Sequence, residues 1–121
     1  MLVIAETNAY DFEEFHLTEK TIKALLTGMP FIIMGSYKFL QNLQVLGFRT
    51  FNEVWAEEYD KIENFNQRLD AIIEVLNSLN KETFIKNQHK LLEIANHNKA
   101  QFLHLNTVMR DQLLEIIKTL T

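Results

Sequence analysis

A chain of 121 residues, 47% hydrophobic and 23% charged, with three glycines and one proline, has the make-up of one folded domain and excludes disorder over most of its length. Twelve basic against sixteen acidic residues leave a formal charge of -4, so there is no general positive field for nucleic acid or an anionic membrane, and any anion site must be local. The absence of cysteine excludes disulfides, thiol nucleophiles and Cys-ligated zinc; no apolar run approaches the ~20 residues of a membrane span, and the default location is cytoplasmic.

Leu2 to Ala5 form a short apolar run, β-branched at Val3 and Ile4, which reads as a buried strand. Domains usually enter their first core strand through a preceding segment, so an opening at Met1-Leu2-Val3 points to part of a longer protein. Between Glu6 and Leu17 a polar and aromatic stretch reads as a long strand-to-helix loop, a place where function concentrates. Thr18 is suited to cap the next helix, Glu19 complements its dipole, and Ile22, Leu25 and Leu26 supply its apolar face. Gly28 fits a left-handed cap and Pro30 forbids continuation. Phe31 to Met34 is a second strand ended by Gly35-Ser36. A helix from about Tyr37 to Leu46 follows, and Phe48 to Phe51 is a third, shorter strand.

Strands separated by roughly ten-residue helices imply right-handed βαβ crossovers and an α/β fold with a small parallel sheet of about three strands. Residues 1–60 would carry this βαβαβ part and 61–121 a helical part of the same domain. In the helical part Leu69, Ile72, Ile73 and Leu76 are expected to form one buried stripe, with a break between Asn77 and Lys81. Asn96-His97-Asn98 either separates two further helices or lies inside a long one.

Thr18-Glu19-Lys20 at a helix start after a strand is the sharpest chemical feature. The carboxyl ends of parallel strands and the amino ends of their helices share an edge where free N–H groups and the dipole favour phosphate, and a lysine there adds charge. The same residues also fit a plain helix start, with Thr18 capping and Lys20 solvated. Gly35 and Ser36, at the end of the second strand, either let a ligand approach the backbone or make a simple turn. No glycine-rich phosphate cradle, serine-histidine-acid set or metal-ligand spacing is legible, so no catalytic residue, metal or cofactor is assigned. Glu13-Glu14 and Glu57-Glu58 read as solvated loop charges, and Trp55 and Tyr59, four apart, as core anchors of the loop that carries them.

Thr18-Glu19-Lys20, Lys23, Leu26, Gly28, Pro30-Phe31-Ile32-Ile33 and Gly35 resemble a segment of the donor-binding, C-terminal half of GT-B glycosyltransferases of the fucosyltransferase type. Leu40, Leu43, Gly47-Phe48, Thr50-Phe51 and Glu57-x-Tyr59-Asp60 extend the likeness to a group of proteins from marine phages and environmental sequences, over residues 16–75. The resemblance implies a Rossmann-like half domain that binds a GDP- or UDP-type nucleotide sugar, Glu19 toward the ribose and Lys20 toward the diphosphate. It also implies a missing N-terminal domain, because such enzymes react in a cleft between two halves. Independently of the resemblance, a three-stranded sheet whose first strand starts at Met1 leaves edges and a face uncovered, so a homo-oligomer or an absent partner domain is expected to cover apolar surface. The chain would then be a part of a glycosyltransferase, not competent alone, with Thr18, Glu19, Lys20, Gly35 and Ser36 as its ligand-binding residues. The other expectation is a non-enzymatic interaction module of phage or environmental origin that keeps the fold without the ligand. Neither nucleic acid nor a membrane is an expected partner.

Overall fold

The computed structural model describes residues 1–6 and 19–120. The described elements are β1 (Leu2–Ala5), α1 (Glu19–Thr27), β2 (Phe31–Met34), α2 (Phe39–Val45), a 3-10 turn (Glu58–Lys61), α3 (Phe65–Ser78), α4 (Lys81–Lys86) and α5 (Gln88–Leu120). The fold is α/β and mostly helical. β1 and β2 pair in parallel, Leu2 opposite Phe31 and Ala5 opposite Met34, with α1 between them in the chain. The apolar face of α1 buries Ala24 and Leu25 in the core.

Gly28 ends α1 at φ 72°, its N–H donating to Ala24 O at 3.0 Å. A side chain there would also collide with α5, since a Cβ would lie 2.9 Å from that of Ala95. The glycine therefore serves both the left-handed cap and the close approach of two helices. All of β2 except Met34 is buried, and the core gathers around Phe31, Ile32 and Ile33 with Leu25, Leu43, Phe51, Ile72 and Ile94. Trp55 stacks on Phe51 with ring centroids 5.1 Å apart, and Phe51 meets Phe31 edge-on at 4.9 Å. Trp55 and Tyr59 are both buried, as expected of core anchors.

Two expectations need correction. The sheet has two strands among the described residues, because Phe48–Phe51 is not a strand. Its backbone groups go to side chains instead of a ladder: Asn98 of α5 accepts from Arg49 N–H at 2.8 Å and donates to Arg49 O at 3.0 Å, while Glu57 accepts from Phe51 N–H at 3.0 Å. With those groups taken, the segment packs as an irregular loop with Phe48, Thr50 and Phe51 all buried. The stripe of α3 is also rotated from the expected one. Ile72 is buried while Ile73 is 45% exposed, and Arg68, at 2% exposure, holds the buried position one turn before Ile72. Its Nη1 donates to Ile62 O and Glu63 O at 2.9 and 3.2 Å, which anchors the start of α3 to the turn before it.

The break near Asn77–Lys81 is present: Asn80 caps α4 through a reciprocal pair with Thr83. Asn96-His97-Asn98 lies inside α5, a 33-residue helix about 50 Å long.

Candidate functional site

Two concave regions bear on function. The first is a polar cleft of about 380 Å³ lined by Leu40, Gln41, Gln44, Asn52, Glu57 and Asp60, among others. It is built on the start of α2, which follows β2. Lys38 takes the N-cap position in left-handed geometry, φ 62°, and its side chain cannot accept the free N–H groups of the first turn. Asp60 of the 3-10 turn does so from a distance: Oδ1 accepts from Leu40 N–H at 2.7 Å, Oδ2 from Gln41 N–H at 3.0 Å, and its carbonyl from Lys38 N–H at 2.9 Å. Burial pushes the Asp60 carboxyl up, and these backbone bonds and nearby Arg68 hold it back.

Glu57, expected to be a solvated charge, is partly buried and accepts from Phe51 N–H. Desolvation raises it to about 7, against the bonds from Thr50 and Phe51 that favour its ionised form. Gln44 Nε2 donates to Thr50 Oγ1 at 2.9 Å, which extends this polar contact back to α2. Glu58 is solvated as expected, 3.5 Å from Lys61. Tyr59 Oη and Trp55 Nε1 are buried without a hydrogen-bond partner among the described residues.

The second region is an open trough of about 460 Å³ between β1 and α1, lined by Leu2, Val3, Ile4, Ala5, Lys20, Lys23 and Met29. Its residues are apolar except for the two lysines, which stand three apart on α1 and are both exposed. Among the described residues neither lysine's ammonium group makes an ion pair or a hydrogen bond. Val3 is 57% exposed, and Met1 and Met29 are exposed beside it.

The residues expected to bind a ligand are divided by this geometry. Glu19 and Lys20 are exposed in the first turn of α1, and Lys20 lines the trough. Gly35 and Ser36 are buried under α2: a Cβ at Gly35 would lie 2.8 Å from the Phe39 ring, and Ser36 O accepts from Phe39 N–H at 3.0 Å. The amide groups that a phosphate would use there belong to Asp60. Beside α1, the buried Glu6 carboxylate accepts from the Thr21 hydroxyl in the first turn. Thr18 lies outside the described residues. Lys23, Glu57 and Asp60 were not singled out as site residues from the sequence, although Lys23 repeats the charge of Lys20 at helical spacing.

Among the described residues no group of three or more His, Cys, Asp or Glu is placed to hold a metal, and no helix is long and apolar enough to cross a membrane. His97 is engaged in packing, its Nε2 2.8 Å from Gly47 O. Compared with family models, curated proteins and solved structures, the chain matches none.

Proposed function

We propose that the chain is a non-catalytic binding module, that its working surface is the trough between β1 and α1, and that its ligand carries negative charge. The observation behind this reading is the placement of Lys20 and Lys23, whose ammonium groups have no partner among the described residues, along the same trough as the exposed apolar edge of β1. Unpaired cations beside exposed apolar side chains contribute little to a fold and are the usual make-up of a recognition surface. The polar cleft at the start of α2 is different, since its carboxylates are engaged with the backbone of α2 and the loop after it.

A nucleoside diphosphate sugar is a second reading, favoured by Lys20 and Glu19 in the first turn of α1. It would make the chain the donor-binding part of a glycosyltransferase. The carboxylate of Glu6 beside that turn weighs against a phosphate there, because like charges in a partly buried site repel. Thermal shifts with short polyglutamate, pyrophosphate, GDP, UDP, CMP and their sugars separate the readings. The first predicts stabilisation by polyglutamate that disappears in the double variant Lys20→Ala with Lys23→Ala; the second predicts stabilisation by a nucleotide sugar well above that by pyrophosphate. A flat response to every anion, or a response that survives loss of both lysines, refutes the trough as the site.

A further inference from the structure

We infer that the trough takes an extended acidic segment of a partner protein as an added strand on the outer edge of β1. This rests on the reading of the trough as an anion-binding surface and adds what kind of anion it receives. Leu2 N–H donates to Pro30 O at 2.9 Å and Glu6 N–H to Met34 O at 3.0 Å, so by the two-residue alternation of a parallel ladder Leu2, Ile4 and Glu6 turn their backbone groups toward β2. Val3 and Ala5 then turn theirs the other way. Among the described residues no strand pairs on that side, and neither Val3 nor Ala5 has a hydrogen bond beyond the β1–β2 pair.

The edge therefore offers two donors and two acceptors, at the spacing an incoming strand needs. Natural sheets blunt such edges with proline, bulges or covering elements, or with charge that a partner must match. Here the strand itself carries no charge from Leu2 to Ala5, and among the described residues the charged side chains lining the trough are Lys20 and Lys23. A strand laid along β1 would place alternate side chains over exposed Val3 and Met29 and the others toward the lysines. Its preferred composition is apolar and acidic in alternation.

A second copy of the chain fits less well. Pairing β1 with another β1 would bring four lysines to one seam with no acid from either strand to meet them.

The probe is an acetylated, amidated heptapeptide of alternating Glu and Val, titrated against the full chain by calorimetry. Binding is expected to weaken about threefold to tenfold in the Lys20→Ala, Lys23→Ala double variant and to weaken as salt is raised. The two N-methylated forms of the peptide decide the geometry. Methylation of the amides on one edge should reduce affinity roughly tenfold or more, and methylation on the opposite edge should leave it unchanged, because only one edge faces β1.

If both methylated forms bind like the parent, the lysines attract the peptide without strand pairing and the inference fails while the anion surface stands. If pyrophosphate or a nucleotide sugar binds and the peptide does not, the inference fails in favour of a small anion. If no anion binds at all, the underlying reading of the trough fails with it. A stable dimer in sedimentation that excludes the peptide would also overturn the inference, since the edge would belong to a second copy.

Discussion

The two helix starts, at α1 and at α2, meet the same physical problem in opposite ways. At α2 the free N–H groups of the first turn are satisfied from inside the chain by Asp60, and Glu57 does the same for the Phe51 amide in the adjoining loop. At the β1–α1 trough, exposed backbone, apolar side chains and two lysines stand together without partners among the described residues. A carboxylate that completes a turn is structure. A surface whose donors and charges have no counterpart is a place for one to arrive.

The widest separation between the filled and open sides lies in stability. Ile72→Ala, in the buried face of α3, should cost about 2–5 kcal/mol, whereas Val3→Thr on the exposed face of β1 should stay within about 0.5 kcal/mol of the unmodified chain in urea melts. Comparable losses from the two would remove the contrast. Ile73→Ala belongs with Val3 here, and a loss above about 1 kcal/mol would restore the sequence-derived stripe.

Next in size is Asp60→Ala. It frees Leu40 and Gln41 N–H at a buried helix start and should destabilise by about 2–3 kcal/mol, the scale of charge-assisted bonds to a helix cap. Asp60→Asn should lose less, because one acceptor oxygen survives. Equal losses from both substitutions would mean that packing, and not capping, is the role of the residue.

Glu57 gives a smaller effect with a defined sign. Its carboxyl titrates at about 7 in the fold, above the ordinary value of 4.5, so the folded state holds the proton more tightly than the unfolded chain. Below about pH 4.5 both states are protonated and nothing is lost on this account. As pH rises through 7 the fold must carry a desolvated carboxylate, and stability should fall by on the order of 2 kcal/mol before levelling off. Asp60 shifts in the same direction. Glu57→Gln should flatten the slope between pH 5 and 7; an unchanged slope would place its origin elsewhere.

Much of this architecture is legible in the sequence where a local rule and the packing agree. The β-branched run at Val3-Ile4, the spacing of Leu25 to the cap at Gly28, the stop at Pro30 and the apolar run of β2 all appear where expected. The third strand failed because Phe48 and Phe51 are three apart: in a strand they would face opposite ways, yet Thr50 and Phe51 are buried together. The groups that hold the loop are Asn98 and Glu57, and the group that fills the face of α3 is Arg68. Polar residues in such positions read as surface in any hydropathy pattern, and only the partners brought near by the fold reveal them. Of the expected ligand residues, Lys20 belongs to the trough, while Gly35 and Ser36 are occupied by the packing of Phe39. The structural counterpart of Lys20 is Lys23, whose role depends on the neighbouring strand edge and not on a motif.

The smallest stability effect is expected at the site itself: the double variant Lys20→Ala with Lys23→Ala should fold within about 0.5 kcal/mol of the parent, since both side chains are exposed and have no partner among the described residues. A substantial loss would make these lysines part of the fold and weaken the contrast between the two sides.

Amide hydrogen exchange at Val3 and Ala5 tests the open edge of β1 most directly. In the free chain these two amides should exchange much faster than those of Leu2 and Ile4, which face β2; saturation with the Glu-Val heptapeptide should slow Val3 and Ala5 selectively. Amides that are already protected in the free chain, or that remain fast when the peptide is fully bound, would contradict the strand edge as the binding surface.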